Sequence, residues 1–200
     1  MLSALIAGLL TGLSLIVAIG AQNAYVLRQG LLRSHVGGVI AICAVSDLIL
    51  ITAGVAGVGT IVEHASWALE LLRWFGVAFL VWYGVGALRR SRHPESLQTA
   101  GTSEPNGRKV LLQAVALTWL NPHVYLDTVL LLGSIANHQP GGGRWWFAVG
   151  AALGSILWFT ALGYGARLLA PLLAGPRAWQ LLDVLVGLVM LAVAASLALG

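Results

Sequence analysis

Six apolar runs alternate with short polar segments along the chain, and each is long enough to cross a bilayer as a helix. They cover residues 2–27, 36–62, 67–88, 110–136, 145–169 and 179–199. The longest polar segment, 89–109, holds Arg89, Arg90, Arg92, two prolines and a Gly-Thr-Ser-Glu-Pro-Asn-Gly stretch, and it reads as a flexible linker. The pattern predicts an all-α, polytopic membrane protein of six transmembrane helices. A single membrane domain over 1–200 divides into a first three-helix half (1–89), a cytoplasmic linker (90–109) and a second three-helix half (110–200).

Two of the runs are interrupted. Gln22 and Asn23 break the first, and Asn121-Pro122 breaks the fourth. At ~1.5 Å per residue, Asn121 lies roughly 17 Å into its run, near the bilayer midplane. Pro122 lacks an N–H, and its ring clashes with the carbonyl one turn back, so the helix must kink or break there. The carbonyls this frees are tolerated at membrane depth only against protein or a water-filled cavity. His123 and Asp127, four residues apart, share a face just beyond the break. Asp47 sits near the middle of the second run. Intramembrane carboxylates are rare unless they pair, relay protons or meet cations, so Asp47 and Asp127 mark a site.

Composition narrows the class. Hydrophobic residues make up 58% of the chain and charged residues only 9%, about a third of the soluble norm. The first run has no Lys or Arg before it, unlike a signal peptide, and is read as a span. The net charge of +4 comes from residues in loops, which does not suggest a nucleic-acid partner. Cys43 is the one cysteine, so an internal disulfide or two-thiol relay is excluded. No phosphate loop is present, and no cofactor is expected.

Loops one, three and five carry Arg28, Arg33, Arg89, Arg90, Arg92, Arg108, Lys109, Arg167 and Arg177; the other side carries only Arg73 and Arg144. Nine against two places the odd loops in the cytoplasm and both termini outside the cell. Two three-span halves must have opposite orientation, and Asn23 and Asn121 each follow an apolar segment. This fits an inverted repeat with broken helices 1 and 4 facing each other across a central site.

The interrupted stretches also carry a resemblance. Ile19-Gly20-Ala21-Gln22-Asn23-Ala24-Tyr25-Val26-Leu27-Arg28-Gln29-Gly30 resembles the first-half signature of the lysine/arginine exporter (LysE) family. Leu120-Asn121-Pro122-His123, followed by Tyr125-Leu126-Asp127-Thr128, resembles its second-half signature. Length and motif spacing fit along essentially the whole chain. The resemblance implies a secondary transporter, not an enzyme, that exports L-lysine and L-arginine across a bacterial plasma membrane.

Roles consistent with that expectation can be assigned. Two acids suit one basic side chain plus one proton, with protons as the counter-ion. Asp47, Asp127 and His123 are the proton-coupling candidates, Asp47 first because of its depth. Gln22, Asn23, Asn121, the carbonyls freed at Pro122, and Asp127 are the substrate-binding candidates. Tyr25, Trp119 and Tyr125 can stack on a cation. For His123 helix packing is at least as good a reading, and single aromatics in apolar spans more often pack than bind. Asp183, near one end of the sixth span, is expected at the interface. Glycine-rich spans suit packing within the chain or a homodimer surface. The alternatives are an exporter of neutral amino acids such as homoserine or threonine, a divalent-metal exporter, and an intramembrane enzyme acting on a lipid. The metal reading calls for clustered ligands, yet only His123 among the histidines lies well inside a span.

Overall fold

The computed structural model describes residues 1–18, 20–57, 66–92, 106–169 and 176–199. Most of the expected linker, the loop with Glu63 and His64, the turn with Pro171 and Gly175, and Ile19 lie outside the described residues. Among the described residues there are eight helices and no strand: α1 (Leu2–Ile16), α2 (Ala21–Leu32), α3 (Val36–Val55), α4 (Ser66–Ser91), α5 (Gly107–Trp119), α6 (Pro122–Asn137), α7 (Arg144–Leu169) and α8 (Pro176–Leu199). Four of these, α3, α4, α7 and α8, are long and apolar enough to span a membrane alone. The pairs α1–α2 and α5–α6 each qualify as one broken span, bent by 83° and 59° respectively. The six apolar runs therefore become four straight helices and two bent ones. The first run reaches further than its hydropathy indicates, because Arg28 and Gly30 lie inside α2.

Two close approaches fix the packing. A Cβ on Gly8 of α1 would stand 2.0 Å from the Phe147 carbonyl oxygen of α7, and one on Gly150 of α7 would stand 2.0 Å from the Leu5 carbonyl oxygen. Each helix thus offers a glycine to the other's backbone, the small-residue packing that draws helices together where lipid removes the hydrophobic drive. Helices α3 and α6 approach in the same way: a Cβ on Gly133 would stand 2.7 Å from the Gly54 carbonyl, and one on Gly54 would stand 2.6 Å from the Val129 carbonyl oxygen. At these positions the glycine-rich spans pack within the chain.

Helix α3 packs on α7, on α5 and on α6, while α7 also covers α2. Helices α4 and α8 form a pair of their own, tied at both ends. At one end Arg73 donates to the Leu197 and Ala198 carbonyls, satisfying groups left over at the C-terminus of α8. At the other end Arg90 reaches Asp183, which is 1% exposed and also takes Arg28 of α2 at 3.0 Å. Asp183 is therefore a buried ionic junction between α2, α4 and α8. The outward faces carry Trp74, Phe75, Trp82, Leu157 and Leu185, large apolar side chains that are exposed as expected of a lipid-facing surface.

Candidate functional site

Both breaks open onto one cavity of about 220 Å³. The first break contributes Ile16, Ala18, Gly20, Gln22 and Asn23; the second contributes Asn121, His123, Val124, Asp127 and Thr128. Asp47 of α3, Phe159 of α7 and Val193 of α8 complete much of the wall. Of the ten residues singled out in the sequence, six line this cavity: Gln22, Asn23, Asp47, Asn121, His123 and Asp127. Residues 100 positions apart in the chain meet because each lies at or just after a helix break.

The local reasons are visible in the hydrogen bonds. Asn23 donates through Nδ2 to the carbonyls of Ile16 (2.6 Å) and Ala18 (2.7 Å), which the end of α1 would otherwise leave unpaired. Its Oδ1 accepts the indole N–H of Trp158 at 3.2 Å. Asn23 lines the cavity but also stitches the break closed and ties it to α7. Asn121 caps α6, its Oδ1 accepting the backbone N–H of His123 at 3.2 Å. Pro122 then occupies the first turn of α6, where a missing N–H costs nothing.

Beyond Tyr125 the helix widens into a π-helical stretch, Leu126–Leu132, which carries Asp127 and Thr128. Such insertions recur at functional sites because they re-aim side chains without ending the helix. The cavity is graded in exposure: Asn23 and Asp47 are buried, Gln22, Asn121 and Asp127 are half-buried, and His123 is exposed. Gln22 Nε2 is a buried donor with no hydrogen-bond partner. Asp47 accepts the hydroxyl of Ser155 on α7 at 2.6 Å through Oδ2.

Of the other four, Trp119, Tyr125 and Pro122 stand behind the wall. Trp119 donates from Nε1 to Ser46 Oγ at 2.9 Å, and its ring meets Tyr125 edge-on. Tyr125 donates its hydroxyl to the Trp119 carbonyl at 2.9 Å, so one carbonyl freed by the break is already taken. Pro122 is buried. Tyr25, named as a further cation-stacking candidate, is 1% exposed, donates to the Val110 carbonyl and packs edge-on against Tyr83, away from the cavity. Sequence reasoning assigned no role to Ser155 or Trp158. Each is a lone polar or amphipathic residue in an apolar run, and only the α3–α7 and α2–α7 contacts show what it holds.

Comparison with known proteins agrees with this architecture. The family described as LysE type translocator matches residues 13–200. The arginine exporter protein ArgO of Enterobacter sp. (strain 638) is 43% identical over 199 residues, covering 99% of this chain and 94% of its own. The lysine exporter LysE of Corynebacterium diphtheriae is 37% identical over 225 residues, covering 98% and 99%. ArgO of Salmonella schwarzengrund is 40% identical over 199 residues, covering 99% and 94%. No solved structure matches. With the family match spanning nearly the whole chain and both bent spans facing one cavity, this multi-pass membrane protein belongs to the LysE type translocator family and is a transporter, not an enzyme.

Proposed function

We propose that this protein exports the basic amino acids L-arginine and L-lysine from the bacterial cytoplasm across the inner membrane, in exchange for protons. The observation that carries the reading is the convergence of two carboxylates, Asp47 and Asp127, on one cavity framed by both helix breaks. The relatives named as arginine and lysine exporters supply the substrate class. A cation leaving a negative-inside cell works against roughly 2.3 kcal/mol per 100 mV, and an incoming proton cancels that electrical cost.

In this reading Asp127, half-buried beside the exposed His123, attracts the ammonium or guanidinium group. Asp47, at the closed end, carries the proton. The unpartnered Gln22 Nε2 is a ready donor for the substrate's carboxylate, which makes Gln22 a better ligand than Asn23, whose amide is already engaged. Asn121 offers an acceptor for the α-ammonium.

The helix contacts support an inverted repeat of two three-span halves, 1–89 and 110–200, joined by a cytoplasmic linker. If the fourth span corresponds to the first, the fifth to the second and the sixth to the third, then α1 against α7 mirrors α5 against α3, and α2 against α7 mirrors α6 against α3. The pairs α3–α7 and α4–α8 are then self-symmetric, and all six contacts are made. The basic-residue bias favours odd loops in the cytoplasm and both termini outside.

The test is efflux of labelled arginine and lysine from cells loaded with the corresponding dipeptides, with and without an uncoupler. Protein-dependent efflux that collapses with the uncoupler is expected. Asp47→Asn and Asp127→Asn should each abolish it while the protein remains in the membrane. Normal flux in both variants would make the acids structural and refute the mechanism. Efflux of homoserine or threonine alone would reassign the substrate to neutral amino acids.

A further inference from the structure

We infer that Ser155 is a positioning residue for proton coupling, holding Asp47 so that one fixed carboxyl oxygen, Oδ1, takes and releases the proton. This rests on the proposed role of Asp47 as the coupling acid. Asp47 is the twelfth residue of α3 and Ser155 the twelfth of α7. At ~1.5 Å per residue each lies roughly 17 Å along its helix, so their contact sits mid-depth in an apolar layer ~30 Å thick.

Both side chains are buried, Ser155 at 0% and Asp47 at 3% exposure, and the hydroxyl meets Oδ2 at 2.6 Å. An O–H···O contact this short is characteristic of a charge-assisted bond to a carboxylate. A serine hydroxyl has one proton to give, and here it is given to Oδ2. Oδ2 is thereby reserved, and a proton arriving from the cavity bonds to Oδ1 and leaves from it, with no other bond made or broken.

The groups around Asp47 leave few competitors for this task. Within the α7 stretch facing it, 148–162, there is no charged residue. From α6, His123 and Asp127 line the same cavity; from α3 itself, Cys43 lies one turn away and is buried. On α2, Arg28 is committed to Asp183 and Tyr25 to the Val110 carbonyl; on α5, Arg108 and Lys109 lie in the first turn, far from the break. Ser155 is the hydrogen-bond donor to the Asp47 carboxyl, and it comes from a different helix. Proton occupancy at Asp47 is therefore coupled to the α3–α7 crossing itself.

The experiment uses the full chain in proteoliposomes and two modes of transport. One is arginine accumulation driven by an imposed proton gradient, with proton movement followed by an internal pH-sensitive dye. The other is gradient-free exchange of labelled for unlabelled arginine. Ser155→Ala should lower gradient-driven accumulation and its coupled proton flux by roughly tenfold to a hundredfold, the range for losing a hydrogen bond to a charged group. Exchange should stay within about threefold of wild type. Ser155→Thr, which keeps the hydroxyl, should restore coupling; Ser155→Cys, close to serine in size but a weak donor, should fall between.

Equal loss in both modes for Ala and Cys, at normal membrane abundance, would reduce Ser155 to a packing residue and overturn the inference. So would full coupling in Ser155→Ala. If Asp47→Asn itself retains gradient-driven accumulation, the assignment of Asp47 fails first and takes the inference with it. If Asp47→Asn is uncoupled and Ser155→Ala is not, only the inference fails.

Discussion

Replacing Asp183 by asparagine keeps the side chain's shape and removes the one anion between two guanidinium groups. Arg28 lies 3.0 Å and Arg90 3.5 Å from Asp183 Oδ1, and the carboxylate is 1% exposed. With an effective dielectric of about 20, these separations correspond to attractions of about 5.5 and about 4.7 kcal/mol before desolvation. Arg90 is 37% exposed and also lies over the Tyr83 ring, so water and that ring recover much of its share. Arg28, at 12% exposure, has less to fall back on. Breaking a buried pair by removing one partner costs about 3–5 kcal/mol. For a chain of this size that corresponds to a fall in melting temperature of roughly 6–20 °C. Fluorescence-detected size-exclusion chromatography of heated, detergent-solubilised protein would read it. The double variant Arg28→Gln with Asp183→Asn replaces the ion pair by a neutral hydrogen-bonding pair and should recover most of the loss. A single Asp183→Asn variant melting within about 2 °C of wild type, or a double variant worse than the single, would refute the reasoning.

Three further outcomes are expected. Gly8→Ala and Gly150→Ala each place a methyl 2.0 Å from a backbone oxygen, so α1 and α7 must separate; folded yield and transport should both fall, whereas Gly165→Ala, which meets nothing within 4 Å, should change neither. Asn23→Asp cannot donate to the Ile16 and Ala18 carbonyls and should lower transport at least about tenfold, the effect of losing buried hydrogen bonds, while Trp158→Phe, which removes one bond, should cost less. Tyr25→Phe should leave the arginine KM within about twofold and destabilise the protein by about 1 kcal/mol, because that hydroxyl serves Val110 and Gln113 and not the cavity.

Much of the fold and of the cavity was legible along the chain, for reasons that differ from residue to residue. Pro122 announces its break because a missing N–H acts locally, whatever packs around it. Asp47 and Asp127 stand out because charge at membrane depth demands an explanation. Asn23 was found for the right reason, a polar residue interrupting a span, yet its amide turned out to mend the interruption. Hydropathy cannot distinguish an amide that binds cargo from one that satisfies freed carbonyls. The partners of Asp183 were hidden because distance from a span's end says nothing about them, and Arg28 is 155 residues away in the chain. Ser155 left no periodic or compositional trace. A hydroxyl in a Gly- and Ala-rich helix becomes informative only once the facing helix is known.

The π-helical stretch Leu126–Leu132 makes the number of residues there as consequential as their identity. Near its start the stretch must present Asp127 to the cavity; just past its end the helix must present Gly133 to Gly54. An α-helix turns ~100° per residue, so deleting one residue from the stretch would rotate one of these contacts out of phase by about that angle. No substitution at a single position in the stretch imposes such a rotation. Single-residue deletions at 126 and through 128–132 should therefore harm transport more than alanine at the same positions, and a one-residue insertion restoring the count should repair it.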